Sequence, residues 1–262
     1  MTTTQTYTEQ TTTVAGLELR TLVGGAGPDL LWLHHSTGSL GWLPFHESLA
    51  QHFRVWVPDL PGYGRSQRPD WARHPRDIAL LLNRATAKLG LSSPLLVGHG
   101  FGGWLAAELA TMNPTAFSAL VLVGAAGIKP REGEIMDQIM WDYDDYVKQG
   151  FREESAYTAM FGERVDKEIW QLWDLSREMT ARLTWSPWMF NRQLPPLLPE
   201  TETRTLLVWG AADRVVPPAV GEQYAAGLPN ATLEVLPNVG HLVELEQPQI
   251  LAARIVAFAN ES

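Results

Sequence analysis

A glycine-rich turn is the first feature of the sequence that could carry chemistry. Residues 95–104 read LLVGHGFGGW, which predicts a strand, a tight turn and the start of a helix. Gly98 and Gly102 allow a sharp bend that holds the apex residue in a strained conformation and presents it above a sheet. The helix start favours negative charge beside that apex. The apex residue is Gly100, so the position for a nucleophile has no side chain.

An acidic residue and a histidine follow two later strand patterns. Asp213 comes after TLLVW, at the carboxyl end of a strand, where open α/β sheets bind ligands. His241 lies in the loop after the last strand pattern. Taken alone, Asp213 is typical of a turn residue that caps its own loop. Taken alone, His241 is typical of an ordinary loop histidine. As a pair, the carboxylate would fix the imidazole tautomer and leave its second nitrogen free to accept a proton.

The hydrophobic pattern predicts the elements that position these residues. Apolar runs alternate with amphipathic stretches, which is typical of a mostly parallel sheet covered by helices. Residues 1–13 are rich in threonine, and we expect a frayed arm there, before an edge strand at 14–23. Further strands are predicted at 30–33, 54–57, 94–97, 120–123, 205–209 and 232–236, and helices at 76–89, 101–112 and 248–258.

The strand pattern stops between residues 129 and 200. Residues 131–178 hold 13 acidic and 6 basic residues, and five of the 11 tryptophans lie in 141–188. This pattern predicts a helical insertion, which is either a plain amphipathic cap or a lid whose aromatic face lines a pocket for an apolar substrate. The expected pocket residues are Trp141, Arg182, Trp185, Trp188 and Met189. Arg182 either holds a substrate carboxylate or pairs with the acidic face of the insertion.

Composition excludes several classes of function. The chain has no cysteine, which excludes a disulfide framework, a thiolate metal site and a cysteine nucleophile. The net charge of −9 argues against nucleic acid as the main partner. No run approaches the ~20 apolar residues of a membrane span, and the N-terminal segment is not a secretory signal, so a cytoplasmic location is expected. Histidine spacings typical of metal sites are missing, and we expect no metal and no other cofactor.

The chain resembles the α/β-hydrolase family in the segments DLPGYGRS, VGHGFGG, VWGAADRVVPP and NVGHLVELEQP, which span nearly its whole length. The segment HHSTGSLGW and the lid resemble carbon–carbon bond (meta-cleavage product) hydrolases and related esterases and lactonases. The resemblance implies an α/β-hydrolase fold: an eight-stranded, mostly parallel sheet with helices on both faces. It implies a core formed by residues 1–128 and 201–262, with a helical cap at 129–200 inserted in it.

The family's order of nucleophile, acid and histidine falls on Gly100, Asp213 and His241. Family members have a serine or an aspartate at the first of these positions, so this chain departs from the family at the residue that does covalent chemistry. A glycine apex is expected to leave room for a water that His241 activates. We also expect Gly100→Ser to create esterase activity on an activated ester.

The resemblance also implies an oxyanion hole formed by the backbone N–H groups of Ser36 and Phe101. His35 replaces a glycine of the family, which places an imidazole beside this hole and in the substrate pocket. His34 is expected to bond backbone groups, and His99 to pack beside the turn.

Three interpretations of function follow. The first is a hydrolase of a small, largely apolar carbonyl compound (an ester, a lactone or a diketone), whether glycine at position 100 is natural or introduced. The second is a non-hydrolytic enzyme, such as a lyase, an isomerase or a cofactor-free oxygenase, in which His241 and Asp213 form the base. The third is a binding protein that performs no reaction, against which the paired acid and histidine argue. The expected partner is a small-molecule substrate, and a homodimer stays open.

Overall fold

The computed structural model describes residues 6–261, and an eight-stranded sheet is its central element. The strand order is β1-β2-β4-β3-β5-β6-β7-β8. β1 pairs antiparallel with β2, and β2 with β4, whereas the other five neighbouring pairs are parallel. The strands are β1 Tyr7–Val14, β2 Leu17–Gly24, β3 Asp29–Leu33, β4 Arg54–Pro58, β5 Leu95–His99, β6 Ala119–Val123, β7 Thr205–Gly210 and β8 Ala231–Leu236.

Helices cover both faces because side chains alternate along each central strand. In β5, for example, Leu96 faces one apolar core, whereas Leu95 and Val97 face the other. The first core is closed by α2 Pro75–Lys88, α3 Phe101–Met112 and α8 Pro218–Gly227, and the second by α1 Pro44–Leu49 and α10 Pro248–Asn260. A short helix, α9 Val243–Glu246, precedes α10. The sequence-based fold class is therefore confirmed.

The chain between β6 and β7 is mainly helical. It contains α4 Tyr143–Gly150, α5 Glu154–Phe161, α6 Lys167–Thr184, α7 Leu194–Leu197 and a 3-10 helix at Leu198–Glu200. α6 buries Trp173, Met179 and Leu183 on one face, as expected for an amphipathic helix. These side chains join the same apolar core as α3, so the inner side of the helical segment is continuous with the sheet domain.

The prediction for the N-terminal region was wrong. The edge strand is β1, which begins at Tyr7, and it forms a hairpin with β2 through a turn at Ala15 and Gly16. Both turn residues have positive φ (51° and 80°), which matches the twist of a two-residue hairpin loop. Because threonine is β-branched, a threonine-rich run suits a half-exposed strand better than a frayed arm. Residues 1–5 of the predicted arm lie outside the described residues.

No helix within residues 6–261 combines the length and the apolar character that crossing a lipid bilayer requires.

Candidate active site

The turn between β5 and α3 has the strained geometry that its glycines predict. Gly100 has φ 55° and ψ −112°, a conformation that L-residues rarely adopt. A Cβ on Gly98 would overlap the Gly102 carbonyl, and a Cβ on Gly102 would overlap the Leu33 carbonyl, so only glycine fits at either flank. The N–H of Gly100 donates to the carbonyl of Val123 at 2.9 Å, which fixes the apex at the carboxyl edge of the sheet.

Asp213 and His241 meet beside this turn. The Nδ1–H of His241 donates to Asp213 Oδ2 at 2.7 Å, and both side chains are fully buried. The other carboxylate oxygen accepts the N–H groups of Val215 and Val216 at 2.9 and 2.8 Å. With its proton on Nδ1, His241 carries its lone pair on Nε2, and that nitrogen has no hydrogen-bond partner within residues 6–261. It lies 3.1 Å from the point where a Cβ on Gly100 would stand.

The space above Gly100 is filled by His35. A Cβ on Gly100 would overlap His35 Cδ2 and would lie 3.0 Å from His35 Nε2. The expected room for a water at the apex is therefore taken by an imidazole. For the same reason, Gly100→Ser alone is not expected to create an esterase, because the serine side chain would collide with His35. The two departures from the family, at positions 35 and 100, are complementary in shape.

His35 is enclosed by aromatic rings. Tyr146 of α4 stacks on it at a centroid distance of 6.2 Å, and the ring of His241 meets it at 4.8 Å and 69°. The N–H of Thr37 donates to His35 Nδ1 at 3.2 Å, which places the proton of the neutral ring on Nε2. Burial, followed by the neighbouring histidines, holds the pKa of His35 well below the ordinary histidine value, so the ring is neutral at neutral pH.

The backbone donors expected for an oxyanion belong to the residues that follow His35 and Gly100. Ser36 follows His35, and Phe101 is the first residue of α3 after Gly100. Neither N–H donates a hydrogen bond to another group in the described part of the chain. The Ser36 hydroxyl donates to Gln138 Oε1 at 3.0 Å, and Gln138 is almost fully buried. Sequence reasoning did not single out Gln138 or Tyr146, because nothing in the local pattern marks a cap residue as facing the turn.

A second buried histidine–carboxylate pair lies behind the first. His99 Nδ1 is 3.1 Å from Glu244 Oε2, and His99 Nε2 donates to the backbone carbonyl of His241 at 2.9 Å. Burial acts against the charged forms, yet Glu244 raises the pKa of His99 and His99 lowers the pKa of Glu244. The pair therefore carries charge and ties the strand end at His99 to the loop of His241. Glu244 was not predicted as part of the site.

His34 lies beside the site in a structural position. Its Nδ1–H donates to the carbonyl of His35 at 2.7 Å, and its Nε2 accepts the N–H of Leu60 at 3.0 Å. Burial lowers its pKa, and both ring nitrogens are bonded to backbone groups. This is the backbone-bonding role expected from the sequence.

The residues expected to form the pocket wall do not gather at Gly100. The guanidinium of Arg182 donates to the carbonyls of Asp70 and Ala72, outside the site. Trp141 and Trp185 are 42% and 71% exposed. These three placements were wrong, because the aromatic and basic composition of the segment does not say which helix face turns inward. Trp188 and Met189 pack against the α3-side core, and the backbone carbonyl of Met189 accepts the N–H of Gly127.

A small cavity borders His35, and a larger groove lies on the other side of the neighbouring loop. A cavity of about 20 Å³, the size of a single water, lies against His35 and the loop of residues 37–41. An open groove of about 680 Å³ runs between that loop and helices α5 and α6. Ser39, Leu40 and Leu43 line both spaces, so this loop separates the groove from the buried ring.

Within residues 6–261, no three histidine or acidic side chains converge as a metal site would require.

Comparison with known proteins gives one consistent result. Residues 22–254 match the model of the alpha/beta hydrolase family. The chain is 28% identical to a 2-hydroxy-6-oxononadienedioate/2-hydroxy-6-oxononatrienedioate hydrolase of Paraburkholderia phymatum, with 100% of each chain covered. It is 26% identical to a 2-hydroxymuconate semialdehyde hydrolase of Pseudomonas sp., with 95% of this chain and 92% of the relative covered.

A solved structure shares the fold. The meta-cleavage product hydrolase from Pseudomonas fluorescens superimposes with a TM-score of 0.84 at 20% identity, covering 96% of this chain and 97% of that one.

Proposed function

The chain belongs to the alpha/beta hydrolase family, and we propose that it hydrolyses a small, largely apolar carbonyl compound. The substrate class is an ester, a lactone or a diketone whose carbonyl carbon is attacked at the turn around Gly100. Relatives named as hydrolases of oxodienedioates and of a muconate semialdehyde support the carbon–carbon cleavage branch of this class. In this proposal residues 129–200 form a cap over a core of residues 1–128 and 201–262.

The observation that carries the proposal is the buried Asp213–His241 pair with a free nitrogen at the turn. Leaving a buried hydrogen-bonding atom unmatched costs roughly 1–3 kcal/mol, and a role in a reaction is one of the reasons for which a protein keeps such an atom. Asp213 fixes the tautomer from one side, and the free Nε2 of His241 points to the apex from the other. This is the arrangement of a general base held ready for a proton.

In the proposed reaction, His241 accepts the proton of the attacking group and returns it to the leaving group. Within residues 6–261 the N–H groups of Ser36 and Phe101 have no protein acceptor, and we propose that they stabilise the oxyanion. A positioned base contributes about 10²–10⁴-fold to a rate, and one oxyanion donor roughly 10²–10³-fold. Together these groups provide catalysis that does not depend on a serine.

The groove beside α6 is the proposed binding site for the apolar part of the substrate. Leu40, Leu43, Ile169, Leu172 and Leu175 contribute apolar side chains to it. Because the loop of residues 37–41 separates the groove from His35, a substrate in the groove reaches the turn only when this loop moves.

A second candidate function is removal of a carbon-bound proton without hydrolysis. The lack of a hydroxyl or thiol at Gly100 favours it, because a base and an oxyanion hole suffice to form an enolate. Lyases, isomerases and cofactor-free oxygenases belong to this class. A protein that binds ligand and performs no reaction is the third outcome to be tested.

A substrate panel in H₂¹⁸O separates these functions. p-Nitrophenyl acetate, an aliphatic lactone and a vinylogous 1,5-diketone are incubated with the parent, with His241→Ala and with His52→Ala, an exposed-histidine control. Hydrolysis predicts one ¹⁸O in the acid product, loss of the reaction in His241→Ala and no change in His52→Ala. In a parallel panel run in D₂O, solvent deuterium entering unhydrolysed substrate would indicate the proton-transfer function. No conversion of any compound in either solvent would contradict both enzymatic functions.

A further inference from the structure

The edge of the His35 ring that faces the turn carries a nitrogen. The point where a Cβ on Gly100 would stand overlaps His35 Cδ2 and lies 3.0 Å from His35 Nε2. His241 Nε2 lies 3.1 Å from the same point. Within the described residues, and apart from the chain neighbours of Gly100, these three atoms are the heavy atoms nearest to that point. The space above Gly100 is therefore bordered by two ring nitrogens.

The hydrogen bonds of the two rings fix which nitrogen carries a proton. The N–H of Thr37 donates to His35 Nδ1 at 3.2 Å, so the proton of the neutral His35 ring is on Nε2. The carboxylate of Asp213 accepts the proton on His241 Nδ1 at 2.7 Å, so His241 Nε2 carries a lone pair. The two rings meet edge to face with their centroids 4.8 Å apart. A hydrogen-bond donor and an acceptor therefore border the same space.

Within residues 6–261 the Nε2–H group of His35 is poorly satisfied. Ser36 Oγ lies 3.3 Å from His35 Nε2, but it also lies 3.5 Å from His35 Nδ1. An oxygen that is almost equally distant from both ring nitrogens lies off the direction of the Nε2–H bond, and hydrogen bonds weaken steeply away from that direction. An oxygen that gains negative charge accepts more strongly than a neutral hydroxyl. Such an oxygen above Gly100 would be the better partner of this N–H group.

We propose that His35 is a catalytic hydrogen-bond donor, whose Nε2–H group stabilises the negative charge that develops on the oxygen of the substrate carbonyl. The inference rests on the proposed hydrolytic function. As water attacks the carbonyl carbon, His241 Nε2 takes a proton from the water and the carbonyl π electrons move to the oxygen. His35 keeps its own proton throughout and shares it in a hydrogen bond with that oxygen. The carbonyl then re-forms, and the leaving group departs with the proton from His241.

The surroundings of His35 suit a donor that neither gains nor loses a proton. Burial, followed by the neighbouring histidines, holds the pKa of His35 well below the ordinary histidine value, so the ring stays neutral. A neutral imidazole polarises a carbonyl by donating a hydrogen bond to its oxygen. Tyr146 stacks on the ring at a centroid distance of 6.2 Å, which holds the donor in place before the reaction begins. The backbone donor of Ser36 belongs to the next residue, so two donors come from consecutive positions.

The competing interpretation is that His35 only fills the space above Gly100. Shape alone would then matter, and a phenyl ring at position 35 would serve at least as well as a carboxamide. A hydrogen-bond donor predicts the opposite order, because glutamine keeps an N–H group and phenylalanine has none. The two interpretations are therefore separated by which variant, His35→Gln or His35→Phe, is impaired more.

Binding of p-nitrophenolate tests the proposal without any turnover. This anion brings a negatively charged oxygen into the site, and p-nitrotoluene is its neutral counterpart of similar shape. Dissociation constants of both compounds are measured by isothermal titration calorimetry under mildly alkaline conditions, where p-nitrophenol is ionised. The proteins are the parent, His35→Phe, His35→Gln and His52→Phe, which makes the same change at an exposed histidine.

We expect the preference for the anion to fall by roughly 10–10²-fold in His35→Phe, to fall less in His35→Gln and to stay unchanged in His52→Phe. The kcat for p-nitrophenyl acetate should follow the same order, with a loss of roughly 10²–10³-fold in His35→Phe and little change in KM.

The outcomes separate this inference from the proposed function. Turnover that depends on His241, with an anion preference that His35→Phe leaves unchanged, overturns the donor and leaves the hydrolase. An anion preference that depends on His35, without turnover of any ester, supports the donor and overturns the hydrolase. A parent that shows no preference for the anion overturns the donor whatever its turnover.

A second measurement decides if His35→Phe does not fold. In the parent labelled with ¹⁵N-histidine, the Nε2 proton of His35 is followed by NMR while p-nitrophenolate is added. A downfield shift of this resonance supports the donor, because a stronger hydrogen bond deshields its proton. A resonance that stays in place when the anion binds overturns the donor.

Discussion

The shape complementarity of His35 and Gly100 predicts strong thermodynamic coupling between the two positions. Gly100→Ser places a Cβ at φ 55° and ψ −112° and pushes it into the His35 ring. The backbone strain costs about 1–3 kcal/mol. The overlap adds about 1–3 kcal/mol, as in an overpacked core. The single variant should therefore lose roughly 2–6 kcal/mol of unfolding free energy.

His35→Gly should also destabilise the protein, by roughly 2–4 kcal/mol, because it leaves a buried cavity. In the double variant the serine occupies that cavity, so the overlap disappears and only the backbone strain remains. We expect the double variant to be more stable than the sum of the singles predicts by at least about 1 kcal/mol. The double variant also has a serine beside His241, and it is expected to form an acyl-enzyme with p-nitrophenyl acetate.

Urea denaturation of the four proteins measures the coupling, and ester hydrolysis measures the gain of function. The m-values must agree for the free energies to be comparable. Additivity of the two substitutions within about 0.5 kcal/mol would show that the side chains do not share one volume. A Gly100→Ser single variant that is stable and active would refute the steric argument outright.

Further predictions concern the groups around this pair. Asp213→Asn should leave the fold intact and lower kcat by about 10⁴-fold through loss of the productive tautomer, as steady-state kinetics would show. Glu244→Gln should cost about 3–5 kcal/mol in urea denaturation by leaving the His99 charge buried and unpaired. The pKa of His99 is raised and that of Glu244 is lowered in the folded protein. The stabilisation from the pair should therefore be present at pH values between the pKa of glutamate and the pKa of histidine in the unfolded chain. It should decline as pH rises through the raised pKa of His99 or falls through the lowered pKa of Glu244, and a pH series that is unaltered in Glu244→Gln would contradict this. In the groove, Leu175→Glu should raise KM for an apolar ester with little change in kcat, whereas the matched control Trp185→Ala, on an exposed face, should change neither.

The sheet and the turn could be predicted from the sequence because their signals are local. Apolar runs of four or five residues mark the buried strands, and the glycines at 98 and 102 mark a bend that only glycine fits. The order of Gly100, Asp213 and His241 also places these residues at the carboxyl edge of one parallel sheet. That edge is where the structure brings them together.

The filling of the turn by His35 could not be predicted, because it depends on where the loop after β3 passes over the turn after β5. The sequence shows two departures from the family but not that one side chain occupies the space of the other. The inward face of the cap was likewise undetermined. Tyr146 and Trp185 have similar aromatic character, yet the first stacks on His35 and the second is 71% exposed. The packing of α4 and α6 on the core determines which of these two side chains faces the site, and the sequence does not show that packing.

The proposed role of His241 as the base is tested most directly by kcat/KM for one hydrolysed ester in the parent and in His241→Ala, measured side by side at neutral pH. The buried pair with Asp213 and the free Nε2 at the turn predict a loss of about 10²–10⁴-fold in the variant, with the fold retained by circular dichroism. Equal values of kcat/KM in the two proteins would contradict the assignment of His241 as the base.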